Sequence, residues 1–224
     1  MIKTLYSPFR KWTEKGTLWV YSDPHFSDPD MVEMRKNYIG DDEQVARINS
    51  KVGKHDTIIF LGDIGNEEMI RKIRGYKVLI MGNHDKGASK YADIFDEVYE
   101  GPLFIAEKLI LSHEPINLPF AVNIHGHEHR YVFREHHLNV CAEHIDYYPI
   151  NINRMIKHGI LSQVESIHRA TIDNATTRKK FREIEAELSS RCIYHDVCCD
   201  KSEQCEKCVY GMDGLHEAKQ YMEK

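Results

Sequence analysis

The chain has 224 residues, 42% of them hydrophobic and 29% charged, with a formal net charge of −5 at pH 7. That length buries a real core, as one domain with an appendage, and the composition is not that of a disordered chain. The acidic balance excludes a broad Lys/Arg surface for tight, sequence-independent nucleic-acid binding, although a small phosphate ester drawn to a local metal site stays open. The opening MIKTLYSPFRKWTEKGTLWVYSD has no apolar signal-peptide core, and no window approaches the ~20 apolar residues of a membrane span. The expectation is a soluble cytoplasmic protein.

In chain order, TLWVYSD (Thr17 to Asp23), DTIIFLGD (Asp56 to Asp63) and YKVLIMGNHD (Tyr76 to Asp85) each read as an apolar strand that finishes in Asp, Asn or His. Between the first two, Asp41 to Val52 carries acidic residues at its start and apolar Val45, Ile48 and Val52, the pattern of a crossover helix. Glu67 to Ile73 is a shorter helical candidate. Apolar strands joined by helices predict an α/β fold with a largely parallel sheet, whose ligands collect at the carboxyl ends of the strands. The runs LFIAEKLILSHEP, AVNIHGHEHR and HHLNVCAEH read as further strands with hairpin-like connections, closing a two-layered or sandwiched core near Ile152. Beyond it, Met155, Ile156, Ile160, Val164 and Ile167 have rough helical spacing, and Phe181, Ile184 and Leu188 mark a second helical stripe in a charged stretch that reads as a solvated face. The expected organisation is residues 1–152 as the main domain, 153–190 as a helical extension and 191–224 as a Cys-rich tail.

NIHGHEHR, Asn123 to Arg130, packs His125, His127 and His129 at alternate positions. Neutral imidazole is the commonest protein metal ligand, and period-two spacing on an extended chain points alternate side chains the same way. Polar groups recur at the other strand ends: Asp23 and His25 in DPH, Asp63 in GD, Asn83 and His84 in GNHD, His113 in SHEP. Taken singly, each has a bland reading as a turn residue. Together, a mixed N/O set without thiolate suits borderline divalent ions such as manganese, iron, zinc, nickel or cobalt, and two such ions can clamp the oxygens of an in-line phosphoryl displacement.

The ordered set D-x-H, G-D, G-N-H-D, H and G-H-x-H resembles the calcineurin-like metallophosphoesterases, in particular their small bacterial and phage phosphodiesterases, over about the first two thirds of the chain. The resemblance implies a central β-sandwich flanked by helices, with a dinuclear centre at one end. It implies Asp23, His25 and His129 on one ion, Asn83, His113 and His127 on the other, and Asp63 between them, with manganese the favoured metal. His84 would face the scissile phosphate, where it stabilises charge or protonates the leaving oxygen; Asp85 has a structural role, and His125 is a hydrogen-bonded neighbour rather than a ligand. Phosphoprotein phosphatases of this family continue GD as GDxVDRG, whose Arg grips phosphate; here the text is GDIGNEE, with Asn66 and Glu67 at the Asp and Arg positions, which argues against a protein phosphatase. Asp28 reads as a turn residue or a partner of the ligands. Arg35, Arg71, Arg74 and Arg130 are candidate phosphate contacts, of which only Arg130 is tied by sequence to the site.

Five of the six cysteines fall in the segment from Cys192 to Cys208. CxxC at Cys205 and Cys208 is half of a structural zinc site that Cys192 with Cys198 or Cys199 could complete; the alternative is a reduced or redox-labile cluster. Cys141 reads as a small core residue. The function expected is hydrolysis of a phosphodiester or a small phosphorylated metabolite. A nucleotide pyrophosphatase or dinucleoside polyphosphate hydrolase is the second enzyme reading, and a non-catalytic protein-binding scaffold is the reading of a different class, against which an intact His84 speaks. The partner expected is a small phosphate-ester substrate, with self-association through the C-terminal extension.

Overall fold

A computed structural model describes residues 1–166; the charged helical stripe and Cys192, Cys198, Cys199, Cys205 and Cys208 lie outside the described residues. Strands β1 (Leu18–Tyr21), β2 (Thr57–Phe60), β3 (Tyr76–Ile80) and β4 (Glu97–Tyr99) run parallel, and β9 (Ile150–Asn151) adds antiparallel to β1, in the order β4-β3-β2-β1-β9. A second sheet holds β5 (Leu103–Ala106), β6 (Leu109–Leu111), β7 (Val122–His125) and β8 (His137–Asn139) in sequence order. Among the described residues the helices are α1 (Met31–Met34), α2 (Asp41–Lys51), α3 (Glu68–Arg71) and α4 (Ile152–Lys157).

Alternation along the strands builds two cores. Leu18, Val20, Ile59, Leu61, Val78 and Ile80 turn one face of the first sheet toward Ile105, Leu109, Leu111, Val122 and Ile124 of the second. The intervening residues Tyr21, Ile58, Phe60 and Leu79 face the other way, onto Val45 and Ile48 of α2 and Met69 and Ile70 of α3. The first sheet is thus covered on both sides, which is why β2 reads as an unbroken apolar run with all four residues buried. Helix α2 starts with Asp41, Asp42 and Glu43 and ends at Lys51, charges that complement its dipole.

Three expectations change. Only β5 and β6 form a hairpin; β6, β7 and β8 are mutually parallel, so the chain crosses back between them. Among the described residues the helical spacing after Ile152 is divided between the short α4 and a 3-10 turn, because Gly159 takes a left-handed φ of 83°. Ile152, Met155, Ile156, Ile160, Leu161 and Val164 pack against the core shared by the two sheets. Finally, NIHGHEHR is not extended throughout: β7 ends at His125, and His127 bends away with φ 66°.

Candidate metal centre

The carboxyl ends of β1, β2 and β3 in one sheet and of β6 and β7 in the other release their chains toward one place. There Asp23, His25, Asp63 and His127 adopt φ values of 54°, 45°, 53° and 66°, a left-handed conformation that side chains bearing a Cβ adopt rarely and that concentrates at functional sites. Glycines permit the close approach. A Cβ on Gly62 would stand 2.5 Å from the Cα of Gly82, and one on Gly126 would stand 1.9 Å from Ser22 Oγ and 2.1 Å from Asp23 Oδ2. Gly126 is therefore required for space, while the turn itself is made at His127.

Asp23 is wholly buried, and its two oxygens have different surroundings. Oδ2 accepts from the backbone N–H of His127 at 2.9 Å, from Ser22 Oγ at 2.5 Å and from the Cys141 thiol at 3.3 Å. Oδ1 and His25 Nε2 are buried without a hydrogen-bond partner among the described residues. They lie 3.8 Å apart, and His129 Nε2 is 3.7 Å from the same Oδ1. Asp63 Oδ1 accepts from the His84 N–H at 3.0 Å, whereas Oδ2 sits 3.6 Å from His25 Nε2 and 3.5 Å from His113 Nε2, between two groups of ligand atoms. In the second group, His113 Nε2 is 2.8 Å from Asn83 Oδ1 and 3.1 Å from His127 Nδ1, which is 3.0 Å from Asn83 Oδ1.

Outer partners fix the imidazoles. His113 Nδ1 donates to the Leu61 carbonyl at 2.8 Å, and His129 Nδ1 donates to Glu143 Oε1 at 2.7 Å. His25 Nδ1 lies 3.3 Å from Asp28 Oδ2. A carbonyl or carboxylate on one ring nitrogen leaves the lone pair of the other turned into the site, the usual support of a metal-binding histidine. Burial lowers the His25 pKa below 6.5 against the pull of Asp23 and Asp63. The Glu143 hydrogen bond raises that of His129. Burial by itself would raise the Glu143 carboxyl, yet His129 and Arg35 hold it below its ordinary 4.5. Asp23 Oδ1 and His25 Nε2 have no donor among the described residues, and buried polar atoms left without a partner are costly. Such a set fits a cation: Asp23, His25 and His129, and Asp23, Asp63 and His113, are groups that could bind metal ions.

Asp85 organises the loops beneath. Its Oδ2 accepts from the N–H groups of Asp63 at 2.9 Å and Gly82 at 2.8 Å, and its Oδ1 accepts from Ile64 N–H at 3.0 Å and the Tyr91 hydroxyl at 3.1 Å. The exposed His84 ring stands edge-on to His25, centroids 5.8 Å apart. His125 lies apart from the ligand atoms, buried, with Nδ1 on the Gly126 carbonyl at 2.9 Å and its ring against His137. Asp28 is both turn and support, since its Oδ1 also accepts from Asp30 N–H at 3.0 Å.

Arg35 is no phosphate contact: it is 4% exposed, donates to the Asp23 carbonyl at 2.7 Å and lies 3.1 Å from Glu143 Oε2. Arg71 pairs with Glu68 on the surface, Arg74 is exposed, and Arg130 is exposed immediately after His129. Sequence reasoning passed over Glu143, although it stands two residues after Cys141 at the end of an apolar run, as the other candidate ligands do. Cys141 is fully buried, and burial raises its pKa well above the ordinary thiol value, so it acts as a protonated donor to Asp23.

No family model and no curated protein matches the chain. Among solved structures, a protein of unknown function from Aquifex aeolicus aligns with a TM-score of 0.53 and 23% identity over 63% of this chain and 98% of its own, a likeness of fold. Pseudomonas putida nuclease MPE aligns over 49% of this chain and 60% of its own at 22% identity, with a TM-score of 0.37, too loose an overlap to show a shared fold. No helix among the described residues is long and apolar enough to cross a membrane.

Proposed function

We propose that this protein is a metallophosphoesterase with the calcineurin-like sandwich, hydrolysing a phosphodiester or a small phosphorylated metabolite over two divalent ions. One observation carries the reading: Asp23 Oδ1 and His25 Nε2 are buried acceptors without a donor, at the centre of a set drawn from five strand ends. Asp23, His25 and His129 would hold one ion and Asn83, His113 and His127 the other, with Asp63, whose Oδ2 lies 3.6 Å from His25 Nε2 and 3.5 Å from His113 Nε2, shared between them. Manganese suits this thiolate-free N/O set.

When bound, the ions lower the pKa of water toward ~7 and offset charge on phosphoryl oxygens. The chain does the rest. Strand-end loops braced by Asp85 hold the acceptors in place, so little rearrangement accompanies the reaction. His84 projects at the exposed rim, where its imidazole stabilises charge on the transferring group or gives a proton to the leaving oxygen as water adds to phosphorus and the ester P–O bond breaks. No residue needs to form a covalent intermediate.

The test compares wild type and His84→Ala on bis-nitrophenyl phosphate and nitrophenyl phosphate, after chelation and after manganese is restored. Turnover of the diester should require manganese, and His84→Ala should retain both ions while losing ~10²–10⁴-fold in rate. A metal-loaded wild type inert toward both esters overturns the hydrolase reading, and a fully active His84→Ala overturns the role of His84.

A further inference from the structure

A cavity of about 210 Å³ opens beside His84, lined by His25, Asp28, Lys86, Lys90 and Tyr91 among others. Its two cations differ. Lys90 is committed: its ammonium lies 2.9 Å from Glu67 Oε2 and 5.6 Å from the centroid of the Tyr91 ring. Glu67 is the residue at the position where a phosphate-gripping Arg stands in GDxVDRG, and here it is turned onto a lysine. Lys86 carries no ion pair among the described residues. Its root is nonetheless anchored, because its backbone N–H donates to the Tyr91 hydroxyl at 3.3 Å and that hydroxyl donates to Asp85 at 3.1 Å. Tyr91 is 2% exposed, so the anchor is part of the core. The Asp28 carboxylate on the cavity wall faces the His25 ring nitrogen. Lys86, two residues beyond His84, is thus the lysine of this cavity that no carboxylate of the described residues contacts directly, although its charge helps to lower the Glu67 pKa.

Resting on the phosphoesterase reading above, we propose that Lys86 and this cavity form a subsite for a second anionic group on the leaving side of phosphorus. The preferred substrate is then a phosphoanhydride whose leaving fragment is itself a phosphate ester. Placement rests on His84 acting at the leaving oxygen, one of its two roles above: His84 and Lys86 line the same cavity, so a fragment departing past His84 enters it. Water forms the new O–P bond, the anhydride P–O bond breaks with its electron pair on the leaving phosphate, and Lys86 stabilises that fragment by charge-assisted hydrogen bonding.

The experiment uses full-length manganese-reconstituted wild type, Lys86→Gln and Lys86→Arg on a dinucleoside diphosphate and on the dinucleoside monophosphate with the same nucleosides. These differ by one bridging phosphate. The expected wild-type kcat/KM favours the diphosphate by about tenfold or more, and Lys86→Gln lowers that ratio about tenfold, chiefly through KM, as loss of one charge-assisted bond implies. Lys86→Arg should restore most of it, which a merely structural lysine does not predict. A wild-type ratio near one, or a ratio unchanged in Lys86→Gln, overturns the subsite. If wild type cleaves neither these nor the nitrophenyl esters, the hydrolase reading is what fails, and calorimetric binding of inorganic pyrophosphate decides the subsite: about tenfold weaker binding by Lys86→Gln supports it, equal binding overturns it.

Discussion

Replacing Asp85 by alanine removes one carboxylate that ties together the loops after β2 and β3. It accepts three backbone N–H bonds, from Asp63, Gly82 and Ile64, and one hydroxyl bond from Tyr91, all between 2.8 and 3.1 Å. A hydrogen bond to a charged group contributes roughly 1.5–3 kcal/mol net, and the partial exposure of this site favours the lower end of that range. Water can reach some of the freed amides, so the loss for Asp85→Ala comes to roughly 3–4 kcal/mol rather than the simple sum. Asp85→Asn keeps one accepting oxygen and should lose about half as much. Urea unfolding measures both values, and manganese content on the same samples reports whether Asp63, whose own N–H is among those freed, still reaches its position. An Asp85→Ala protein within about 1 kcal/mol of wild type that binds manganese normally would refute the reasoning.

Other perturbations separate support from ligation. Glu143→Gln weakens the partner that orients His129, and manganese affinity should fall about 10–100-fold while the fold survives; unchanged affinity in a titration refutes that role. Gly126→Ala forces a methyl group against Ser22 Oγ and Asp23 Oδ2, at distances of 1.9 and 2.1 Å before relaxation. It should cost about 1–3 kcal/mol by urea unfolding and reduce metal content, and a neutral outcome contradicts the packing. His137 is shifted below 6.5 by burial first and by His125 and Arg134 next. The unfolded chain therefore takes up this proton at higher pH than the folded one, so its stabilising contribution is present above about pH 6.5 and is lost as pH falls. The drop in unfolding free energy from about pH 7 to about pH 5.5 should be smaller in His137→Gln than in wild type; an equal drop refutes the assignment.

The strands that end in candidate ligands were legible because burial on both faces makes β1, β2 and the second half of β3 apolar, and because Asp, Asn and His at their ends break that pattern abruptly. Asp41 to Val52 was legible as a helix from its acidic start and apolar stripe, and it ends within one residue of that reading. β4 and β9 were not legible: three and two residues long and half-buried, they leave no periodic signature. The direction of β7 and β8 was misread because a parallel pairing depends on where the connecting chain runs, which local pattern does not encode. At the centre, residue types identified the candidate ligands, but the positive φ at His127 and the space Gly126 leaves for Asp23 arise from a contact between residues 104 apart in sequence. The place of Arg35 was not legible for a related reason. An arginine in a polar stretch reads as exposed, and only the fold shows its guanidinium enclosed between the Asp23 carbonyl and Glu143.

Two ions acting together are what the proposed hydrolase requires. The most direct test is a stoichiometric manganese titration of the chelated protein, read as turnover of bis-nitrophenyl phosphate. Turnover should climb to a plateau at two equivalents per chain. Full activity at one equivalent, or none at any manganese concentration in a protein that has bound the metal, would contradict it.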